Sequence, residues 1–181
     1  MTSHHNFLAA SPWVGRFAPL IPQGGRVLDF ACGGGRHSRL LAALGHAVEA
    51  VDHDPARLGE FAETDGVHVR EADLEAGTWP YDQCTFAGIV VTNYLFRPRL
   101  PMLLAALAEP GVLIYETFMI GNERYGKPSN PDFLLQPQEL LGWAKDSTLS
   151  VVAFEEGYVE LPKPAMVQRL CAVRGKWIAR I

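Results

Sequence analysis

The chain has 181 residues, 48% of them hydrophobic and 20% charged, with a formal net charge of −4. That length suits one domain (1–181) with a proper core, and the composition is that of an ordinary soluble globular protein. An acidic balance with no block of five like charges argues against a nucleic-acid partner, because such binding draws on clustered Lys and Arg.

The three cysteines, Cys32, Cys84 and Cys171, are odd in number and form no C-x-x-C pair, so neither a disulfide framework nor a metal site is expected. No basic stretch followed by an apolar one opens the chain, and no run approaches the length of a membrane span. The expected location is cytoplasmic, with no membrane partner. Oligomeric state is not legible.

Ser11-Pro12-Trp13 reads as a helix start, with serine as cap and proline at the first helical position. This N-terminal helical segment (1–25) ends at the breaker cluster Ile21 to Gly25. Strand one is predicted over 26–30, followed by a helix over 35–44 with Leu40, Leu41 and Leu44 on one face. Strand two covers 47–51 and stops at Asp52. Pro55 opens a helix running to Glu63, and strand three covers 67–71. After an irregular stretch, Phe86 to Thr92 is an apolar, β-branched run suited to a central parallel strand. A helix over 99–108 closes at Glu109-Pro110-Gly111, and strand five covers 112–116. A long polar loop over 119–136 precedes a helix over 137–145 and two last strands, 149–159 and 167–173. With no helix between them, those two pair antiparallel. The fold class is α/β: a doubly wound, Rossmann-like, seven-stranded sheet with a terminal antiparallel strand pair.

The chemistry concentrates at Val27-Leu28-Asp29-Phe30-Ala31-Cys32-Gly33-Gly34-Gly35-Arg36-His37-Ser38, a strand running into a glycine turn and then a helix. Such a turn offers backbone N–H groups and a helix N-terminus with little side-chain bulk. The dinucleotide fingerprint G-x-G-x-x-G fails here, because Ser38 stands at the third glycine. A carboxylate at Asp29 would repel a diphosphate and suits a sulfonium or ammonium ligand; the competing role for Asp29 is to cap the turn.

The pattern Asp29-x-Ala31-x-Gly33-x-Gly35 is similar to the D/E-x-G-x-G-x-G motif of class I S-adenosylmethionine-dependent methyltransferases, with alanine at the first glycine. The longer run from Val27 to Asp54 resembles the small tellurite-resistance-type and other small-molecule methyltransferases of bacteria. The resemblance implies S-adenosylmethionine as cofactor, with Asp29, Ala31, Cys32, Gly33, Gly35 and Arg36 around its aminoacyl end. Asp52 would accept from the ribose hydroxyls, His53 would lie along the adenine, Asp73 would accept from the adenine amino group beside Leu74, and Asn93 would border the methyl group. Asp73 as a turn cap and His53 as a solvated residue are the plainer alternatives.

Tyr94, His37, Glu116 and Tyr125 are the catalytic candidates, the last two expected to point inward as the 119–136 loop covers the acceptor. Trp13 either folds over the methionyl end or anchors packing. Tyr94 follows Asn93 with no prolines between, so the Asn/Asp-Pro-Pro-Tyr/Phe pattern of amino-directed nucleic-acid methyltransferases is missing. With no appended substrate domain in this reading, the expected partner is a small molecule. A non-catalytic cofactor-binding module, an RNA methyltransferase and an NAD-dependent oxidoreductase are the alternatives.

Overall fold

The computed structural model describes residues 9–176. Seven strands form one sheet: β1 (Arg26–Phe30), β2 (Ala47–Asp52), β3 (Val67–Glu71), β4 (Phe86–Thr92), β5 (Leu107–Phe118), β6 (Ser150–Val159) and β7 (Ala165–Arg174). Their order is β3-β2-β1-β4-β5-β7-β6. The first five run parallel, and β7 is antiparallel to both β5 and β6. This is the expected doubly wound sheet, antiparallel pair included. The strand order reverses between β1 and β4, which opens a crevice beyond their C-terminal ends.

Among the described residues five α-helices cover the two faces: α1 (Pro12–Phe17), α2 (Arg36–Ala43), α3 (Pro55–Gly59), α4 (Leu100–Ala105) and α5 (Glu139–Asp146). Strand side chains alternate between the faces. Leu28, Phe30, Ile89, Val91, Leu113 and Tyr115 pack against Leu103, Leu104 and Leu140 of α4 and α5. Val27, Val48, Val90, Val112 and Ile114 pack against Trp13, Val14, Phe17 and Leu41 of α1 and α2. Trp13 is therefore a packing anchor; its Nε1–H donates to the Leu170 carbonyl at 3.3 Å.

Several boundaries differ from the sequence expectation, three regions most of all. The helix α3 stops at Gly59 instead of Glu63, and Phe61 turns inward to complete a buried group with Leu58, Ala50 and Cys32. The strand β5 begins at Leu107, because Phe86 pairs with Leu107 and donates its N–H to the Ala106 carbonyl at 2.8 Å. Glu109-Pro110-Gly111 lies within that strand and does not end a helix, so α4 is correspondingly short. The 119–136 segment is not a featureless loop. It holds two 3-10 turns, Asn122–Arg124 and Pro131–Phe133, and a bridge between Met119 and Leu135.

Glu49, buried midway along β2, went unremarked in the sequence. It accepts from Arg70 Nε at 2.6 Å, His68 Nδ1 at 2.8 Å and Arg26 Nη2 at 3.1 Å. Tyr81 adds a longer bond at 3.4 Å. A carboxylate so enclosed is tolerable only because several donors meet it. It ties the irregular stretch before β4 to the sheet edge. Among the described residues no helix is long and apolar enough to cross a membrane.

Candidate cofactor and acceptor site

A cleft of about 1240 Å³ opens where β1, β2, β3 and β4 end. Its back wall is the glycine turn. Ala31 takes φ +56°, the left-handed backbone for which a glycine is the easier residue, so the alanine departure keeps the motif's geometry. Gly35 has the stricter requirement. Its φ is +71°, and a Cβ there would lie 2.5 Å from the Phe61 ring.

Two of the turn's amides are already engaged. Gly33 N–H donates to Asp52 Oδ2 at 2.8 Å, and Gly35 N–H to the Cys32 carbonyl at 3.1 Å. A diphosphate needs such amides free and would face the Asp52 carboxylate as well. An acid at the end of β2 serves the ribose in dinucleotide enzymes as well, so Asp52 by itself does not choose between the two cofactors. Asp52 Oδ1 accepts from the Asp54 amide at 3.1 Å. Each carboxylate oxygen keeps a further lone pair, enough for a vicinal diol.

His53 stands beside it, Nδ1 3.2 Å from Asp52 Oδ1 with its side chain 81% exposed. Asp73 Oδ1 caps the next turn, accepting from the amides of Glu75 and Ala76, each at 2.9 Å. Those bonds hold its carboxyl below the usual range and leave Oδ2 available. The capping role and a ligand role coexist. Leu74 gives the apolar floor, and Asn93, exposed at φ +55°, closes the row.

Asp29 lies elsewhere. It is 1% exposed on the α2 side of β1, and Ser38 donates to its Oδ2 at 2.6 Å. Burial pushes its pKa up to about 6, and the Ser38 bonds offset only part of that rise. It lines no part of the cleft, so any service to a ligand's ammonium is indirect.

The four catalytic candidates separate sharply. Tyr94 lines the cleft, its ring edge-on to Phe30 at 5.6 Å. Its buried hydroxyl has no partner among the described residues, and burial raises its pKa, so it stays a neutral phenol. His37 does not reach the cleft, which corrects its assignment as a base. It is 1% exposed, accepts from the Ser11 amide at 3.1 Å and contacts Thr92 Oγ1 at 3.3 Å. Burial, aided by the Arg36 charge, lowers its pKa to about 3.

Glu116 is corrected too. It turns onto Arg169 Nε at 2.6 Å because a carboxylate in that half-enclosed setting needs a cation. Tyr125 does not point inward; it is exposed and rests on Tyr158, ring centroids 5.2 Å apart. No residue of 119–136 lines the cleft.

Some cleft residues went unselected. Arg39 follows Arg36 by one helical turn and donates to the Gly34 carbonyl at 2.8 Å. Arg57 stands over Gly33, and Thr92 closes β4. The i, i+3 spacing of Arg36 and Arg39 was the available signal. Among the described residues no group of three or more His, Cys, Asp or Glu is placed to hold a metal ion.

The sheet order, the glycine turn and the row of acids at successive strand ends define the class I S-adenosylmethionine-dependent methyltransferase fold. Residues 27–109 match the family model described as a methyltransferase domain.

A protein-L-isoaspartate O-methyltransferase of Chlorobaculum tepidum is 34% identical over 106 residues, covering 55% of this chain and 48% of that protein. The chain thus spans about half the length of the curated relative it matches. TehB from Haemophilus influenzae superposes with a TM-score of 0.75 at 23% identity, over 95% of this chain and 64% of that one. The 1,6-didemethyltoxoflavin-N1-methyltransferase of Burkholderia thailandensis, solved with S-adenosylhomocysteine, gives 0.67 at 17% identity over 94% and 80%. S-Adenosylmethionine is the cofactor of this class. The residues fit it: a bare glycine wall, spare carboxylate lone pairs for a diol and an apolar floor.

Proposed function

We propose that the chain transfers a methyl group from S-adenosylmethionine to a small-molecule acceptor. The observation that carries this reading is the cleft's acid-lined row beside a glycine turn whose Gly33 and Gly35 amides are taken. Asp52 holds the ribose diol. Asp73 and Leu74 hold the adenine, polar edge and flat face respectively. Asn93 and Tyr94 stand at the β4 end, where the methyl group meets its acceptor.

The bound cofactor supplies an activated methyl on a sulfonium, and the sulfur leaves neutral. The chain's own contribution is orientation and exclusion of water. Tyr94, a neutral phenol whose hydroxyl is buried, forms part of the wall and is not suited to removing a proton. With His37 and Glu116 turned away, the site favours an acceptor that is already a lone-pair nucleophile near neutral pH.

Support for a small acceptor comes from the toxoflavin-type N-methyltransferase among similar structures and from the net charge of −4, which disfavours a polyanion. The test is calorimetric titration with S-adenosylhomocysteine and with NAD, followed by detection of S-adenosylhomocysteine release across amines, thiols, carboxylic acids, phenols and metalloid oxyanions. Binding of NAD alone ends the reading. Cofactor binding without turnover on any acceptor, but with a strongly salt-dependent RNA interaction, moves the acceptor to RNA.

A further inference from the structure

His37 is buried and removed from the cleft, yet it is bonded on both ring nitrogens, and the two bonds fix its tautomer. The Ser11 amide can only donate, so Nε2 is the lone-pair nitrogen and the proton sits on Nδ1. The lowered pKa, about 3, keeps the ring neutral. Nδ1–H therefore donates to Thr92 Oγ1 at 3.3 Å. Thr92 lines the cleft, and none of the described residues accepts its hydroxyl proton. A relay results: Ser11 amide to His37, and His37 to Thr92, a residue of the cleft wall.

Arg36 flanks the same end of the cleft, its Nη1 3.4 Å from the Ala9 carbonyl. The Arg36 guanidinium and the Thr92 hydroxyl proton are both donors, the first tied to the Ala9 carbonyl and the second to Ser11 through His37. Asp52, Asp73 and Leu74 occupy the opposite end.

Resting on the proposed function, we infer that His37 is a positioning residue that aims the Thr92 hydroxyl at the carboxylate of the cofactor's amino-acid tail, with Arg36 as the second donor. Thr92 and His37 then discriminate ligands by their tail and leave adenosine binding to the other end of the cleft.

The test compares S-adenosylhomocysteine with 5′-methylthioadenosine, which carries the same adenosine and a neutral thioether but no amino-acid tail. Dissociation constants are measured by calorimetry for the wild type, Thr92→Val, Thr92→Ser, His37→Gln and the Thr92→Val/His37→Gln pair. Thr92→Val is expected to weaken S-adenosylhomocysteine about tenfold, as loss of a hydrogen bond to a charged group does. It should leave 5′-methylthioadenosine within about twofold, and Thr92→Ser should restore the tailed ligand to the same margin. His37→Gln keeps an acceptor for the Ser11 amide and loses the bond to Thr92, so it should reproduce the tail-selective loss. The double variant should be no weaker than Thr92→Val alone, because both act through one bond.

Thr92→Val binding S-adenosylhomocysteine like the wild type, or losing both ligands equally, overturns the inference while the methyltransferase reading stands. A wild type that binds neither ligand overturns that reading and the inference with it. The Thr92 pair decides the matter even where His37→Gln fails to fold.

Discussion

Above β1, β2 and β3 the polar side chains stand beside open space; above β5 and β7 they grip one another. Asp52 and Asp73 each bond to amides of a neighbouring turn and keep lone pairs toward the cleft. On the other rim Arg169 joins Glu116 to Glu155. Gln168 spans the Leu140 amide and the Gln136 carbonyl, and Asn122 links the Met166 amide to the Pro128 carbonyl. Arg97 holds Glu139 and the carbonyls of Asp132 and Leu134. One rim keeps polar capacity beside the cleft; the other uses it to hold the 119–136 segment as a fixed wall. Substitutions on the first rim should read out in binding, and those on the second in stability.

The strongest challenge to that division is Gly35→Ala, a change in the glycine turn that borders the cleft, predicted to cost stability. The new Cβ meets the Phe61 ring at 2.5 Å, and the backbone is left-handed. Over-packing and strain together should remove about 2–4 kcal/mol, measured by urea denaturation. An unchanged midpoint would mean that the close approach to Phe61 is dispensable.

Asp29→Asn comes next, and pH sets its sign. Asp29 titrates near 6 in the fold against 3.8 ordinarily, so between those values the native state holds more protons than the unfolded chain. Wild-type stability therefore falls as pH rises through that window and levels off above it. The asparagine variant escapes this fall. It should gain at most about 3 kcal/mol relative to wild type above pH 6, with the difference fading below pH 4. Denaturation curves across that range check it, and a constant difference would refute the buried-carboxylate account.

Arg97→Ala tests the second rim. Losing bonds to a carboxylate and two carbonyls should cost about 1–2 kcal/mol, tempered by the arginine's partial exposure. Proteolysis should begin within 119–136 while S-adenosylhomocysteine affinity holds. Equal loss of affinity would mean the two rims are coupled. Tyr125→Ala is the mildest: an exposed ring resting on another should change stability by no more than about 0.5 kcal/mol. Turnover on any acceptor that the screen identifies should be unaltered; a large drop would reinstate Tyr125 as an acceptor-site residue.

That Gly33, Asp52, Asp73 and Asn93 lie beside the cleft was legible because each sits at or just beyond a strand's C-terminal end, where strand order fixes position. His37, Glu116 and Tyr125 were misplaced because no strand end dictates their direction. His37 follows the turn by two residues, yet helical rotation carries it beneath α2 onto Ser11 and Thr92. Glu116 lies two residues before the end of β5, and its antiparallel pairing with Arg169 puts both side chains on one face, where the arginine captures it. That register depends on the whole long-range β5–β7 pairing and leaves no local trace.

The sequence by itself determined the strand order class, the glycine wall and the acids beside it. Apolar runs, turn glycines and strand-end carboxylates act through local backbone geometry, which neighbouring residues alone specify. Only the tertiary structure decided which polar groups face the cleft and which satisfy one another. Buried charges and amides take whatever partner the packed chain brings within about 3 Å, and those partners come from far along the sequence.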